Sequence, residues 1–300
     1  MSQTDTRELM VTIRCLVYNH EPYLRQCLDG FVMQKTNFRF EAIVHDDAST
    51  DGSAEIIREY AEKFPDIIKP IFEAENQYSK RDGSIRRIMD ANTHGKYVAL
   101  CEGDDYWIDS LKLQKQVDFL ESNPDYSLCF HNAIRLNERV AVKEKIASFC
   151  FFYADRQIST EEIIADWCIP TASLLYRREA LKDIKLPRFF SGDYTLELIL
   201  ASIGKVYYLD RYMSVYRINS GGVSGGISAK KWAEQLCALL DWFDEFTSYK
   251  FKTQILKRKK GANQFVRYCT LKQKNTLLPF VLMPSYMLQK TKDKINKVVE

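Results

Sequence analysis

Short apolar runs and helical repeats alternate along the first hundred residues of this chain. Apolar residues recur every three or four positions in two clear helical segments, Leu24–Cys27–Leu28–Phe31 and Ile56–Ile57–Tyr60–Phe64. Between and around these segments lie short runs that are typical of strands, at 11–17, 40–44, 69–72 and 97–101. Strands that alternate with helices of this length predict βαβ units and a parallel sheet.

The pattern changes after residue 110. The next predicted helices and strands are, in order, 111–120, 127–136, 172–176, 194–202 and 206–209. Residues 137–158 lack a clear period, and Ser159 with Glu162 has the spacing of a capping box for a helix through Trp167. Residues 216–224 are rich in Gly and Ser, which predicts a mobile loop, and the pattern from Lys230 onward is helical.

Composition describes an ordinary globular protein, with 46% hydrophobic and 28% charged residues. The eight cysteines are scattered and form no CxxC pair, which favours reduced thiols over disulfides or a zinc site. The first ten residues lack the apolar core of a signal peptide, and no stretch approaches the roughly 20 apolar residues that span a bilayer. We therefore expect a cytoplasmic protein.

Charge is unevenly distributed along a chain whose net charge is +3. Residues 229–300 carry 15 of the 43 lysines and arginines but 6 of the 40 aspartates and glutamates. A basic segment of this kind predicts an anionic partner such as a membrane surface, although a solvated helical face would explain the same charges. We expect peripheral contact with anionic membrane through this segment, and no nucleic-acid partner.

The most informative stretch is YVALCEGDDYW, residues 97–107, in which an apolar strand runs into clustered acids. Glu102, Asp104 and Asp105 surround Gly103. Clustered carboxylates repel one another unless a cation offsets their charge, and Mg²⁺ or Mn²⁺ takes oxygen ligands together with phosphates. Ligands of open α/β sheets bind at this end of the strands. The residues alone allow a metal site or a solvated acidic turn that caps the next helix.

Several motifs follow one another at suitable spacing. VxIxxxVYN…YLxxCLxxxxxQ opens the chain, DDASTDGS and GKYVALCEGDDYW follow, and SGDYTLEL and YRINSGGVS come later. Together, over roughly residues 9–225, they resemble the nucleotide-sugar domain of the inverting glycosyltransferases of family 2. The resemblance implies an α/β protein of the GT-A fold, with a mostly parallel central sheet flanked by helices. It implies a catalytic domain at 1–225 and a basic helical C-terminal extension at 226–300.

The resemblance also implies roles for the donor-side residues. It places Tyr18 and Asn19 on the turn against the nucleotide, and Asp47, together with Asp46, at the acid that accepts a hydrogen bond from the base. Glu102 stands where the family usually has an aspartate that faces the ribose. The resemblance further implies that Asp104 contributes to donor binding. It implies that Asp104 and Asp105 together bind a divalent cation, Mn²⁺ or Mg²⁺.

Asp193 matches the catalytic base of the family, and Gly192 stands where the family often has Glu. The chemistry is consistent, because an ionised acid would take the acceptor's proton while a cation neutralises the departing diphosphate. One base opposite the leaving group gives inversion. Without the resemblance, Asp193 would be interpreted as a helix N-cap. The implied reaction transfers a sugar from a nucleotide-diphosphate donor to a hydroxyl of a saccharide or lipid-linked saccharide, in cell-surface polysaccharide synthesis at the inner membrane face.

The residues present disfavour three other functions. A nucleotidyltransferase would bring a Gly-rich, Lys-containing phosphate loop after the first strand, where this chain has YNHEPYL. A catalytically silent sugar-binding module would tolerate loss of the acids that are present here. A processive synthase would carry membrane helices and a QxxRW motif, which do not occur in this sequence.

Four further residues are candidates for contact with the substrates. His131 is either a core histidine or a residue near the acceptor, and Trp107 either packs in the core or stacks on a sugar. Arg217 and Ser224 are candidates for closing over the donor, since the neighbouring glycines permit hinge motion.

Overall fold

The computed structural model describes residues 7–139, 146–187, 192–219 and 227–273. Its helices are α1 (Glu21–Val32), α2 (Ser53–Lys63), α3 (Gln77–Lys80), α4 (Ser84–Ala91), α5 (Lys112–Ser122), α6 (Thr160–Ala165), α7 (Gly192–Ile203), α8 (Ala229–Phe246) and α9 (Lys252–Gln273). Its strands are β1 (Leu9–Val17), β2 (Arg39–Asp46), β3 (Ile68–Phe72), β4 (Tyr97–Leu100), β5 (Tyr106–Trp107), β6 (Tyr126–Asn137), β7 (Ile146–Ser148), β8 (Arg156–Ile158), β9 (Leu175–Arg177) and β10 (Lys205–Ile218).

The chain divides into two compact units. The first comprises 1–159, 168–188 and 199–220, and the second comprises 160–167, 189–198 and 221–300. The first unit therefore contains the whole sheet, and the second is helical in its described part. The predicted domain boundary at residue 225 stays a prediction.

The first unit is built on one mixed sheet, with the strand order β3-β2-β1-β4-β9-β6-β10-β5; β7 adds to β6 and β8 adds to β10. The strands β3, β2, β1 and β4 pair in parallel with one another in that order, and β6 pairs in parallel with β10. The short strand β9 joins the two parallel groups by antiparallel pairing with β4 and β6. This architecture confirms the predicted α/β class with its βαβ units.

The central strand β1 is buried on both faces, as expected for parallel strands that helices cover. Val11, Ile13 and Cys15 are fully buried and belong to one core cluster with Leu28 and Phe31 of α1. The repeat that predicted α1 is thus the face that packs in the core. Burying such side chains stabilises the fold by about 1.5–3 kcal/mol each.

A close backbone approach fixes the start of β4. A Cβ built on Gly95 would lie 2.5 Å from the backbone nitrogen of Thr12 and 2.7 Å from the carbonyl carbon of Val11. No side chain fits at that distance, so the sequence requires glycine where the chain enters β4 beside β1.

The sheet contains more strand than the local pattern predicts. The short strands β7 and β8 lie within the segment predicted to be irregular. Strand β10 extends to Ile218, so Tyr216 and Arg217 belong to a strand rather than to a mobile loop. The cause is pairing over long range, because β10 runs in register with β6 as far as Ile218 opposite Asn137. Ser224 lies outside the described residues.

The second unit consists of α6, the start of α7, α8 and α9. Ser228 caps α8, since its Oγ accepts a hydrogen bond from the backbone N–H of Lys231 at 3.3 Å. Two left-handed residues, Ser248 and Tyr249, end the helical run and turn the chain into α9. The helical pattern predicted from Lys230 onward is therefore confirmed through residue 273, with one interruption. Within the described ranges, none of the helices is both long and apolar enough to cross a membrane.

Candidate functional site

Three loops of the first unit meet at one edge of the sheet. They follow β1, β2 and β4, and they comprise residues 18–20, 47–52 and 101–105. The parallel register sets Val17 opposite Asp46 and Arg14 opposite Leu100, so the carboxyl ends of the three strands lie together. This is the edge at which open α/β sheets bind their ligands.

The first two loops are tied together by hydrogen bonds. Asn19 adopts a left-handed backbone conformation, with φ of 56°. Its backbone N–H donates to Ser49 Oγ at 2.9 Å, and its side-chain Oδ1 accepts from the backbone N–H of Thr50 at 2.8 Å. The backbone N–H of His20 donates to Ser53 Oγ at 3.0 Å. Tyr18 stays 48% exposed beside this junction, so its ring is open to a ligand.

A reciprocal pair of carboxylates joins the starts of α1 and α2. The backbone N–H of Glu21 donates to Asp51 Oδ2 at 3.0 Å, and the backbone N–H of Gly52 donates to Glu21 Oε2 at 2.7 Å. Gly52 occupies the N-cap position of α2, and Asp51 Oδ1 accepts the backbone N–H of Ser53 at 3.0 Å. Both carboxylates lie at helix N-termini, where negative charge is favourable.

The two acids that end β2 are both buried, and they differ in their partners. Asp47 Oδ1 accepts the backbone N–H of Gln77 at 2.6 Å, and its Oδ2 accepts that of Tyr78 at 3.0 Å. Asp46 Oδ2 accepts the N–H of Ser49 at 3.3 Å, whereas its Oδ1 is buried without a hydrogen-bond partner in the described chain. Asp47 thus anchors α3, and Asp46 retains an unsatisfied acceptor.

The acidic turn after β4, residues 102–105, packs closely against the first loop. The backbone N–H of Gly103 donates to the carbonyl of Leu16 at 3.0 Å. A Cβ on Gly103 would lie 2.7 Å from His20 Nδ1, so this contact needs glycine. Within the turn, Glu102 is exposed, Asp104 is half-buried and Asp105 is 3% exposed. The predicted acids are therefore brought to the same edge as Asn19 and Asp46.

The end of β10 holds the acidic turn. The backbone N–H of Arg217 donates to Asp105 Oδ1 at 2.8 Å, and its guanidinium Nη1 donates to the carbonyl of Asp104 at 2.8 Å. Nη2 donates to Gln26 Oε1 of α1. The amide of Asn219 donates to Asp104 Oδ2 at 2.8 Å. Arg217 and Asn219 together fix both the backbone of the turn and one oxygen of the Asp104 carboxylate.

The guanidinium of Arg217 is 8% exposed and sits between two rings, 5.0 Å from the centre of Tyr23 and 4.5 Å from that of Tyr106. Its Nε lies 3.6 Å from Glu138 Oε1. The side chain is therefore enclosed by the first unit rather than placed on a loop that closes over the donor. Sequence reasoning missed this role; the available signal was a pair of polar residues that flank Ile218.

Electrostatics at the turn favour a cation. Burial, and next the charge of Asp104, raise the pKa of Asp105 well above its usual range, while the N–H of Arg217 opposes this shift. Burial lowers the pKa of His20, although the charges of Asp104 and Asp51 act to raise it. A carboxylate pair in such a setting gains from a positive charge nearby.

The described residues contain no group of three His, Cys, Asp or Glu side chains arranged to hold a metal ion. The turn offers instead two adjacent carboxylates, of which Asp104 is the more accessible. That donor set fits a hard cation such as Mg²⁺ or Mn²⁺, which takes one or two protein carboxylates and completes its coordination with phosphate oxygens and water. It does not fit a cation held by a protein cage.

Asp193 lies in the second unit, in the first turn of α7. Its Oδ1 accepts the backbone N–H of Tyr194 at 2.9 Å, and the side chain is half-buried. Negative charge at a helix N-terminus is favourable. A carboxylate at this place can serve as a proton acceptor.

Trp107 and His131 are core residues. The indole N–H of Trp107 donates to the carbonyl of Ala172 at 2.8 Å, its ring meets that of Phe31 edge-on at 5.0 Å, and it is 2% exposed. His131 is fully buried in β6, with its Nδ1 2.8 Å from the carbonyl of Asn132, and burial lowers its pKa well below the usual value. Neither side chain can reach a sugar.

Comparison with known proteins gives the family. The model of glycosyl transferase family 2 matches residues 15–185. An uncharacterised protein of Mycobacterium tuberculosis (strain H37Rv) is 37% identical over 213 residues, which cover 71% of this chain and 60% of that protein. The chain thus spans about 60% of the length of this relative. The Escherichia coli UDP-Glc:alpha-D-GlcNAc-diphosphoundecaprenol beta-1,3-glucosyltransferase WfaP is 24% identical over 216 residues, covering 72% of this chain and 80% of WfaP.

Among solved structures, that of Staphylococcus aureus TarS 1-349 in complex with UDP-GlcNAc superposes with a TM-score of 0.68. The match covers 90% of this chain and 77% of TarS at 18% sequence identity, so it bears on the fold alone. This structural match, together with the mixed sheet and its flanking helices, confirms the predicted GT-A fold. The family model, together with acids at the ends of β2 and β4, identifies the chain as a member of glycosyl transferase family 2.

Proposed function

We propose that this protein is a metal-dependent, inverting glycosyltransferase that moves a sugar from a nucleotide-diphosphate donor to a hydroxyl of a saccharide acceptor. The observation that carries the proposal is the acidic turn, held by Arg217 and Asn219 at the edge where the loops after β1 and β2 meet. A turn fixed from both its backbone and its side chains is preorganised for a charged ligand.

The nucleotide would lie against the joined loops after β1 and β2. Tyr18 presents an exposed ring to a base, and Asn19 shapes the turn beneath it. Oδ1 of Asp46 is buried and has no hydrogen-bond partner among the described residues, so it is suited to accept a hydrogen bond from the nucleotide. Asp47 shapes the same loop by anchoring α3, and Glu102 is exposed where a ribose would be recognised.

A divalent cation would be held through Asp104, with Asp105 beside it. When bound, the cation would neutralise charge on the departing nucleotide diphosphate. Asn219 orients the Asp104 carboxylate through Oδ2. Arg217 of β10 keeps Asp105 and the turn in place, so Arg217 and the nearby Asn219 orient the ligand oxygens before the donor arrives.

Asp193 would act as the general base. As the bond between the acceptor oxygen and the sugar carbon forms and the bond to the diphosphate breaks, Asp193 takes the proton of the acceptor hydroxyl. A single base opposite the leaving group inverts the configuration at that carbon. The hydrogen bond from the backbone N–H of Tyr194 holds the carboxylate in place at the start of α7.

The proposed setting is cell-surface polysaccharide synthesis at the cytoplasmic face of the membrane, on a saccharide or lipid-linked saccharide. The name of WfaP describes transfer from UDP-Glc to a diphosphoundecaprenol-linked sugar, which supports an acceptor of this kind. Helix α9 adds an exposed basic face of Lys257, Lys260 and Arg267, beside the exposed Leu256. Basic and apolar groups together suit the surface of an anionic membrane.

Calorimetric titration with a panel of nucleotide diphosphates and their sugars, with and without Mn²⁺, tests the donor site. We expect one nucleotide to bind only with metal, and Asp104→Ala to abolish that metal-dependent binding. Asp118→Ala is the matched control, because Asp118 is an exposed carboxylate on α5 that bonds only to Gln114 in the described contacts. Absence of binding under every condition would contradict an active transferase, whereas binding without any transfer would favour a silent nucleotide-sugar-binding module.

A further inference from the structure

The second unit buries a carboxyl group that the reaction described above does not use. Glu197 of α7 is fully buried. Its Oε1 accepts the indole N–H of Trp167 at 3.3 Å. Its Oε2 is buried, and no hydrogen-bond donor within the described residues reaches it. The surrounding chain therefore supplies one neutral donor for two carboxyl oxygens.

Such an environment disfavours a charged carboxylate. An unpaired buried charge costs several kcal/mol, whereas a neutral acid in the same place costs much less. Burial, and next the negative charge of Asp193, raise the pKa of Glu197 well above its usual range, and the Trp167 N–H opposes this only in part. Asp166, which follows α6, and Arg258 of α9 form an ion pair with each other at 3.7 Å, and the charge that acts on Glu197 is that of Asp193.

Helix geometry directs Glu197 toward the candidate base. Asp193 lies four residues earlier, on the same face of α7. Long side chains in a helix lean toward the N-terminus and cover the turn before their own. The carboxyl of Glu197 thus leans toward the turn that carries Asp193.

That turn is itself fixed to α6. The hydroxyl of Tyr194 donates to the carbonyl of Ile163 at 2.9 Å and lies 3.2 Å from that of Ile164. Trp167, which bonds Glu197, follows α6 in the chain. Two contacts from the α6 segment therefore hold the turn of Asp193 and the carboxyl of Glu197 in a defined arrangement.

We propose that Glu197 is a positioning residue for Asp193: its protonated carboxyl donates a hydrogen bond to the Asp193 carboxylate, and the pair carries one proton and one negative charge. This inference rests on the proposed function, in which Asp193 is the general base. During transfer the acceptor's proton moves to Asp193, Glu197 keeps its own proton, and Asp193 then releases the proton to water. The carboxylate of Asp193 can accept this bond as well as that of Tyr194, because its two oxygens offer about four acceptor positions.

The pair gives the buried carboxyl of Glu197 a specific partner. A hydrogen bond donated to a carboxylate stabilises its charged form, whereas an ionised Glu197 would repel the Asp193 carboxylate as a like charge. A protonated Glu197 therefore supports a charged base, and an ionised Glu197 would not.

The pH dependence of kcat/KM for Glu197→Gln and Glu197→Leu tests the pair. Gln keeps an acceptor for the Trp167 N–H and a donor for Asp193, so we expect the acidic limb of the pH profile to stay as in the wild type. Because Gln cannot ionise, we expect the alkaline limb to move to higher pH. Leu removes the donor, so we expect the acidic limb to move to higher pH and kcat to fall about 10- to 100-fold with little change in KM. Wild-type kcat and pH profiles in both variants would overturn the proposal.

Infrared spectroscopy of the carboxyl C=O stretch provides a readout that does not depend on turnover. At pH 7 we expect a protonated-carboxyl band in the wild type that Glu197→Gln lacks. An unchanged band would overturn the proposal even if the enzyme is active. A band that disappears as expected, in a protein that transfers no sugar to any acceptor, would instead show that the proposed function has failed while the protonated state of Glu197 stands.

Discussion

Asp193 begins α7 with its Oδ1 on the backbone N–H of Tyr194, and an amide can replace the carboxylate there without a change of shape. We expect Asp193→Asn to bind the donor as the wild type does and to lower kcat by about 10²–10⁴-fold, because Asn cannot take the acceptor's proton. Donor binding is measured by calorimetry and transfer by product formation. Normal transfer by this variant would exclude Asp193 as the base.

Glu197 also makes stability depend on pH. The pKa of Glu197 is raised in the folded state. Its contribution to the free energy of unfolding is therefore fully present below the usual carboxyl pKa and is lost as the pH rises through the raised pKa. We expect the free energy of unfolding of Glu197→Gln, measured by thermal unfolding, to equal that of the wild type at pH 4. At pH 8 we expect it to be higher by on the order of 1–3 kcal/mol.

The control for this comparison is Glu62→Gln, which changes an exposed carboxylate of α2. We expect it to leave the difference between the two pH values unchanged, since neither state of an exposed carboxylate is desolvated. An equal gain for both glutamine variants at pH 8 would contradict the neutral state of Glu197.

At the scale of elements, the end of β10 holds the acidic turn in place through hydrogen bonds from Arg217. We expect Arg217→Gln to weaken metal-dependent donor binding at least about tenfold, because the carbonyl of Asp104 and Gln26 lose a charge-assisted donor. Arg217→Lys restores charge but not the fork of donors, so we expect an intermediate affinity.

Arg211 provides the matched control on the same strand, since its side chain is 62% exposed. Arg211→Gln should leave the calorimetric affinity unchanged. Circular dichroism of each variant separates a local loss at the turn from unfolding. Wild-type affinity in a folded Arg217→Gln protein would remove Arg217 from the donor site.

Elements with a local period were predictable, and those made by distant pairing were not. The repeats around Leu28 and Ile57 are the buried faces of α1 and α2, and acids at the strand ends came together because parallel strands share an edge. Strand β8 and the second half of β10 depend on partners that lie far along the chain, and the three-residue strand β7 is too short to show a period of its own.

The same division holds in the candidate site. Asp104 and Asp105 could be found by their place after an apolar strand, but the contact of Arg217 with Asp104 joins residues more than a hundred positions apart. Glu197 did leave a local signal, because it is the charged residue within the apolar stretch LELIL. A single carboxylate on a buried helical face indicates a specific partner or an unusual protonation state.

At the scale of the whole molecule, the exposed basic face of α9 predicts binding to anionic membranes. We expect the protein to sediment with vesicles that contain anionic lipid and not with neutral vesicles, with the interaction weakened by salt. The triple variant Lys257→Glu, Lys260→Glu, Arg267→Glu should lose this binding.

The matched control reverses three exposed lysines of the first unit, Lys63→Glu, Lys69→Glu and Lys182→Glu, and produces the same change of net charge. If both triple variants lose vesicle binding equally, net charge explains the interaction and α9 has no special part in it. Retained binding in the α9 variant would assign these lysines to a solvated helical face.

The hydrogen bonds from Arg217 to the acidic turn also affect when the donor site forms during translation of the chain. The turn at residues 102–105 depends on Arg217 and Asn219, which are translated more than a hundred residues later. Contacts of such high sequence separation form late, after the local βα units. A nascent chain that has completed β5 but not β10 thus possesses every acid of the turn but lacks the donors that orient them. Nucleotide affinity should arise only when the last strand enters the sheet.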